Sequence, residues 1–170
     1  MKLYRCQIKV NGMNYSCFDN MRKHEKESGY EFMKRIFKTI TTKEEKDPNQ
    51  PKTINDMMEP EFAGCSYEDM ILEFKFHVHK WAVNPNGTFH GGLITTACDI
   101  TMGVLARFFN EGIRVATVEI NINFMRPINL GEDCLVKAKI MKNGKRVKFT
   151  ACDIYSLDGK LVATGSGIFM

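Results

Sequence analysis

No run of uncharged apolar residues in this chain reaches the roughly 18 that a membrane-spanning helix needs, so no span is expected. The opening stretch, MKLYRCQIKV, is interrupted by Lys2, Arg5 and Lys9 and has no apolar core of the kind a secretory signal carries. None of the six cysteines (Cys6, Cys17, Cys65, Cys98, Cys134, Cys152) stands in a CxxC pair. That argues against a zinc module and fits reduced thiols, with the cytoplasm as the default compartment and the mitochondrion as the alternative. A large excess of charge of one sign is missing as well. A net charge of +4 suits an anionic small ligand and is too weak to point to nucleic acid. His77 and His79 share one face of a strand, but no third side chain at ligand spacing joins them, so no metal is expected.

What is present is an ordinary globular composition, 44% hydrophobic and 26% charged over 170 residues, enough to bury one core. The 11 methionines read as core filling. Near the N-terminus, Tyr4, Cys6, Ile8 and Val10 alternate with polar residues; Asn11-Gly12 follows, then Met13, Tyr15 and Cys17. Asn-Gly between alternating runs predicts a hairpin over residues 3–18, with Cys6 facing Cys17 as reduced thiols. Ser28 and Glu31 have capping-box spacing, and Tyr30, Met33, Phe37 and Ile40 recur at helical period. Residues 43–52, KEEKDPNQPK, read as a linker. The expected organisation is an extension of hairpin plus helix over 1–45, a linker over 46–59 and a main domain over 60–170. The extension is expected to be separable from the main domain.

In the main domain Met70, Leu72, Phe74, Phe76 and Val78 alternate as in a half-buried strand. An apolar helix follows, then Ala116, Val118, Ile120, Ile122 and Phe124 at period two, then strand-like runs near 133–142, 146–156 and 160–169. The separators KNGK and LDGK are hairpin chemistry. Short connections imply an antiparallel sheet, and a helix apolar on nearly all sides must be wrapped by it. The fold class is therefore α+β.

The wrapped segment reads HGGLITTACDITMGVLAR, and from Gly91 to Ala106 its one charged side chain is Asp99. An ionised carboxylate buried without partners costs several kcal/mol, so Asp99 requires either compensation or a job. Upstream, NPNGTFHGG breaks the preceding strand and brings two glycines to the start of the helix. A helix entry leaves free N–H groups that can bind an anion or a developing oxyanion, although glycines before a helix serve packing equally well.

GTFHGGLITTACD, followed by VATVEININFMRPINLGEDCLVKAKIMKNGKRVKF, resembles the hotdog-fold acyl-CoA thioesterases of the phenylacetate-pathway (PaaI) type. The resemblance covers roughly residues 60–169 and is carried by the HGG-to-Asp spacing and by Pro127-x-x-x-Gly131. It implies a hotdog fold, an antiparallel sheet around a central helix, and hydrolysis of acyl-CoA without cofactor or metal. It places Asn84 beside the thioester or the water, His90 at the turn, and the Gly91 N–H on the thioester carbonyl. Asp99 becomes general base or nucleophile, and Thr117 stands where a relative has a serine that holds the water. Thr117 also lies opposite in parity to the apolar residues of its strand, so it is expected to point away from them, toward an interface. Arg126, Lys145 and Arg146 could meet coenzyme A phosphates, although Lys145 and Arg146 equally suit a solvated hairpin turn. A hotdog dehydratase or hydratase and a non-catalytic acyl-CoA-binding hotdog protein are the alternatives. On one helix, Gly91 and Asp99 would be about 12 Å apart along the axis, too far to share a carbonyl. A homodimer that brings Asp99 of one chain to Gly91 of the other resolves this, and further pairing gives a homotetramer.

Overall fold

The structure, a computed structural model, describes residues 15–18, 21–42 and 52–170. Most of the predicted hairpin, with Cys6, lies outside the described residues. Its last part is not a strand: Tyr15–Phe18 form a 3₁₀ turn. The capping box is present. The Ser28 hydroxyl accepts from the Glu31 N–H at 3.1 Å, and the Glu31 carboxylate accepts from the Ser28 N–H at 2.9 Å. These bonds start α1 (Gly29–Thr41), which buries Phe32, Met33, Ile36, Phe37 and Ile40 on one face. Tyr30, read as part of that face, is exposed instead. Within the expected linker a second helix forms, α2 (Ile54–Met58), started by the Thr53–Asp56 capping box. Thr-x-x-Asp is the same spacing signal as Ser28-x-x-Glu31, here followed by only one helical turn.

The strands are β1 (Glu61–Ser66), β2 (Ile71–His77), β3 (Thr117–Phe124), β4 (Asp133–Asn143), β5 (Lys148–Ser156) and β6 (Leu161–Phe169). They form one antiparallel sheet in the order β1-β2-β4-β5-β6-β3. The sheet wraps the 18-residue helix α3 (Gly91–Phe108), which touches β2, β3, β4, β5 and β6. This is the hotdog arrangement. β1 was not expected from sequence. Its register with β2 shifts between Phe62 and Gly64, and that irregularity breaks the period-two pattern. β2 starts at Ile71 because Met70 turns the chain with a φ of 53°. No described helix is long and apolar enough to cross a membrane.

The helix assigned to a separable extension is part of this core. Phe37 packs edge-on to Phe74 of β2, with ring centroids 6.3 Å apart, and lies 5.1 Å from Phe108 of α3. Phe32 lies 5.1 Å from the same Phe108 ring. At the start of α1 the Tyr67 ring rests on Gly29 so closely that a Cβ there has no room. A glycine is required by contact, not by conformation. α1 therefore packs against β1 and the C-terminal end of α3, and removing it would uncover Phe74 and Phe108. Phe37→Ala is expected to cost about 3–5 kcal/mol, read as a lowered urea midpoint at unchanged slope. A chain starting at Thr53 is expected to be less stable still. Equal midpoints for that chain and the full protein would show that α1 contributes nothing to the core.

Candidate active site

His90 caps α3. Its Nδ1 accepts from the Gly92 N–H at 3.0 Å, so in this geometry the ring proton sits on Nε2. The His90 carbonyl takes the Leu93 and Ile94 N–H groups at 2.8 and 3.0 Å. Of the donors in the first turn, the Gly91 N–H alone has no acceptor among the described residues. It lies at the positive end of the helix dipole and borders a pocket of about 290 Å³ lined by Asn84, Ile94, Phe124, Arg126 and Pro127, among others. Such a donor can receive the negative charge that develops on a carbonyl oxygen under attack.

Asn84 holds the turn that aims this end of the helix. Its Oδ1 accepts from the Asn86 N–H at 2.9 Å and the Thr88 N–H at 3.3 Å, while its Nδ2 donates to the Thr88 hydroxyl at 3.0 Å. The Asn84 N–H in turn donates to the Thr88 carbonyl at 2.9 Å. Thr88 was not singled out from sequence. Its signal is the position four residues after an asparagine that opens a Pro-Asn-Gly turn.

Asp99, half-buried at the middle of α3, accepts a hydrogen bond from the Thr117 hydroxyl at 2.7 Å. The expectation that Thr117 points away from the apolar face of its strand is corrected. Thr117 pairs with Phe169 and Glu119 with Ile168, so Val118 is an extra residue in a β-bulge. The bulge shifts parity by one and turns Thr117 to the helix side, the side of Ile120, Ile122 and Phe124. Beside it, a hydrogen bond with Cys152 and then burial push the Cys98 thiol far above its ordinary range, which makes it a poor nucleophile.

Within one chain these groups fall into two sets. Asn84, His90, Gly91 and Arg126 gather at the N-terminus of α3, where Phe124 packs on Gly91. Asp99 and Thr117 lie about 12 Å further along the helix axis, and Thr117 and Phe124 are about 23 Å apart along β3. Lys145 and Arg146, in the turn between β4 and β5, are exposed at the Thr117 end: Lys148, two residues on, and Thr117 both pair with Phe169. Arg126, also exposed, donates from its guanidinium to the Leu161 carbonyl at 2.5 Å. His77 is bound to other work. Its Nδ1 meets Asp133 Oδ1 at 2.6 Å, and its ring packs edge-on to His79. Phe124, read from sequence as an ordinary strand residue, is the contact that closes one side of the pocket, and its alternation with Ile122 carried no sign of that use.

The thioesterase superfamily profile matches residues 86–163. Human Acyl-coenzyme A thioesterase 13 is 38% identical over 99 residues, which cover 56% of this chain and 68% of that protein. The solved structure of zebrafish thioesterase superfamily member 2 aligns with a TM-score of 0.65 at 24% identity, over 82% of this chain and 95% of its own. A Streptococcus mutans protein solved bound to acetyl CoA aligns with a TM-score of 0.58 at 23% identity, over 65% of this chain and 87% of its own. The two structures show the fold; the identity to the human protein, over more than two thirds of its length, carries the assignment further. This chain belongs to the hotdog-fold thioesterase superfamily.

Proposed function

We propose that the protein hydrolyses acyl-CoA thioesters to free acid and coenzyme A, in sites each assembled from two chains. The observation that carries this reading is the separation just described. One end of α3 offers a spare N–H beside a largely apolar pocket; a carboxylate with a hydroxyl donor sits too far along the same helix to reach it. β3 supports a two-fold pairing. Among the described residues it bonds only β6, so it is an edge strand, and Val118 and Phe124 on it are more than half exposed. Antiparallel pairing of two copies of β3 about its middle sets Thr117 of one chain opposite Phe124 of the other. Asp99 then meets the partner's Gly91, and each dimer holds two sites.

In such a site the Gly91 N–H polarises the thioester carbonyl, and Asn84 and His90 keep the helix end aimed. Asp99 acts by one of two routes. As general base it takes a proton from water, whose oxygen bonds the carbonyl carbon while the C–S bond breaks; that proton then passes to the departing thiolate. As nucleophile its oxygen bonds the carbonyl carbon and expels the thiolate, and water hydrolyses the resulting anhydride. Thr117 holds Asp99 Oδ1 by its hydroxyl and leaves Oδ2 for either task. In a single turnover in labelled water, the base route puts label in the product acid, whereas the nucleophile route puts it in Asp99 when water attacks the Asp99 carbonyl carbon. In this reading Arg126 on one side, and Lys145 and Arg146 on the other, meet the phosphates of coenzyme A. Phe149 and Ile168 pair side by side on the outer face of the sheet, a second apolar surface that joining two dimers into a homotetramer would cover. The reduced, buried Cys98, Cys134 and Cys152 suit a cytoplasmic setting.

Thiol release from acyl-CoA thioesters of graded chain length tests the activity, and added chelator is expected to leave it unchanged. A panel in which no thioester is cleaved, while coenzyme A still binds, would favour the non-catalytic binding protein. Asp99→Asn keeps shape and removes the base, and is expected to lower turnover at least about a hundredfold. Near-normal turnover in that variant would remove Asp99 from the chemistry.

Shared sites have a separate signature. Asp99→Ala and Asn84→Ala homodimers should each be nearly inactive, because every site has lost one member. Co-expressed in equal amounts, about half of the dimers are mixed, and each mixed dimer carries one site with both changes and one with neither. About a quarter of all sites should then be intact. A mixture as inactive as its components, after subunit exchange is confirmed by mass, would place Asp99 and Gly91 function within one chain.

A further inference from the structure

Lys148 opens β5 with its side chain on the helix side of the sheet, only 4% exposed. Its ammonium donates to the Asn110 side-chain oxygen at 3.0 Å and to the Gly144 carbonyl at 3.4 Å. No carboxylate pairs with it among the described residues, and burial holds its pKa below the usual lysine range. A desolvated cation with only neutral acceptors is costly, and a methionine or leucine would fill the same inward position without that cost. The fold offsets part of it with the negative end of the α3 dipole, one turn from Asn110.

What the ammonium joins is specific. Asn110 lies in the connection from α3 to β3, and its Nδ2 donates to the Ile113 carbonyl at 3.2 Å, three residues before Ala116 and the start of β3. Gly144 begins the turn that carries Lys145 and Arg146, both exposed. Across the sheet, Lys148 pairs with Phe169 and Phe169 with Thr117, so Lys148 and Thr117 stand in one row on the helix side. Two strand spacings put their backbones about 10 Å apart. Lys148 thus ties the segment that leads into Thr117 to the turn that bears Lys145 and Arg146, two exposed cations.

We propose that Lys148 is a positioning residue for coenzyme A: it fixes the Lys145–Arg146 turn beside the Asp99–Thr117 half of the site, so that the phosphates are gripped in register with the thioester. The proposal rests on the acyl-CoA reading above. It assigns Lys148 no contact with substrate; it acts through Lys145 and Arg146.

The test is calorimetric titration of the full-length protein with coenzyme A and, separately, with pantetheine, which lacks the nucleotide and its phosphates. Lys148→Met is expected to weaken coenzyme A binding about tenfold, to leave pantetheine binding within about twofold, and to melt at or above the wild-type temperature. Asn110→Ala, which keeps the cation and removes its main acceptor, should shift coenzyme A in the same direction and by less. It stands in should Lys148→Met fail to fold. Unchanged coenzyme A affinity, or an equal loss for both ligands, would overturn the proposal, as would a wild-type protein that binds coenzyme A no better than pantetheine. A wild-type protein that binds coenzyme A through its phosphates but cleaves no thioester would count against hydrolysis and support the positioning role.

Discussion

An α-helix rises about 1.5 Å per residue whatever its sequence, and eight residues separate the spare N–H at Gly91 from the carboxylate of Asp99. That fixed distance is the constraint on which the reading of this molecule depends. α3 is rigid because the sheet surrounds it: β2, β3, β4, β5 and β6 all touch it, and eleven of its side chains are buried. It cannot bend to bring the two groups together, so the start of the helix and its middle are separate resources. Everything of chemical interest is then distributed according to which of the two it attends. The 84–88 turn and Phe124 attend the first, while Thr117 and the bulge attend the second, with the Lys148 row behind them.

Packing explains why the chain beyond Asp99 is as well defined as the start of the helix. The C-terminal half of α3 ends among aromatic rings: Phe108 meets Phe32 and Phe37 of α1, and Tyr67 from the turn between β1 and β2. The Arg107 guanidinium lies over the Phe18 ring at 4.3 Å, and its Nε donates to the Gly112 carbonyl at 2.8 Å. These contacts hold the connection to β3 from one side, and Lys148 holds it from the other. α1 therefore has an indirect bearing on Thr117 through the C-terminal end of α3.

Elements were legible in the sequence wherever periodicity ran unbroken. α3, the runs at β4, β5 and β6, and the capped start of α1 all stand where alternation, capping spacing or turn chemistry put them. Two misses in the sheet share one physical cause, a single-residue irregularity. At Phe62/Gly64 it hid β1, and at Val118 it reversed the facing of Thr117, because strand parity carries no mark of a bulge. The boundary of the core was missed for another reason. A charged, proline-bearing stretch reports that the chain is polar between two elements, and says nothing about whether the elements on either side of it pack together. Asn84 and His90 were found through family resemblance. Their local work, a side-chain turn and a helix cap, is chemistry that asparagine and histidine do at many ordinary turns, so composition alone could not single them out.

The bulge at Val118 has a bearing beyond the side chain it redirects. An edge strand with free N–H and C=O groups will accept any extended segment that matches its repeat, which is how unrelated chains come to stick together. An extra residue bends the strand and tightens its twist near one end, so a regular strand laid alongside loses step before it reaches Thr117. The detail that points a hydroxyl at Asp99 thus also limits how far along this edge a regular foreign strand can pair.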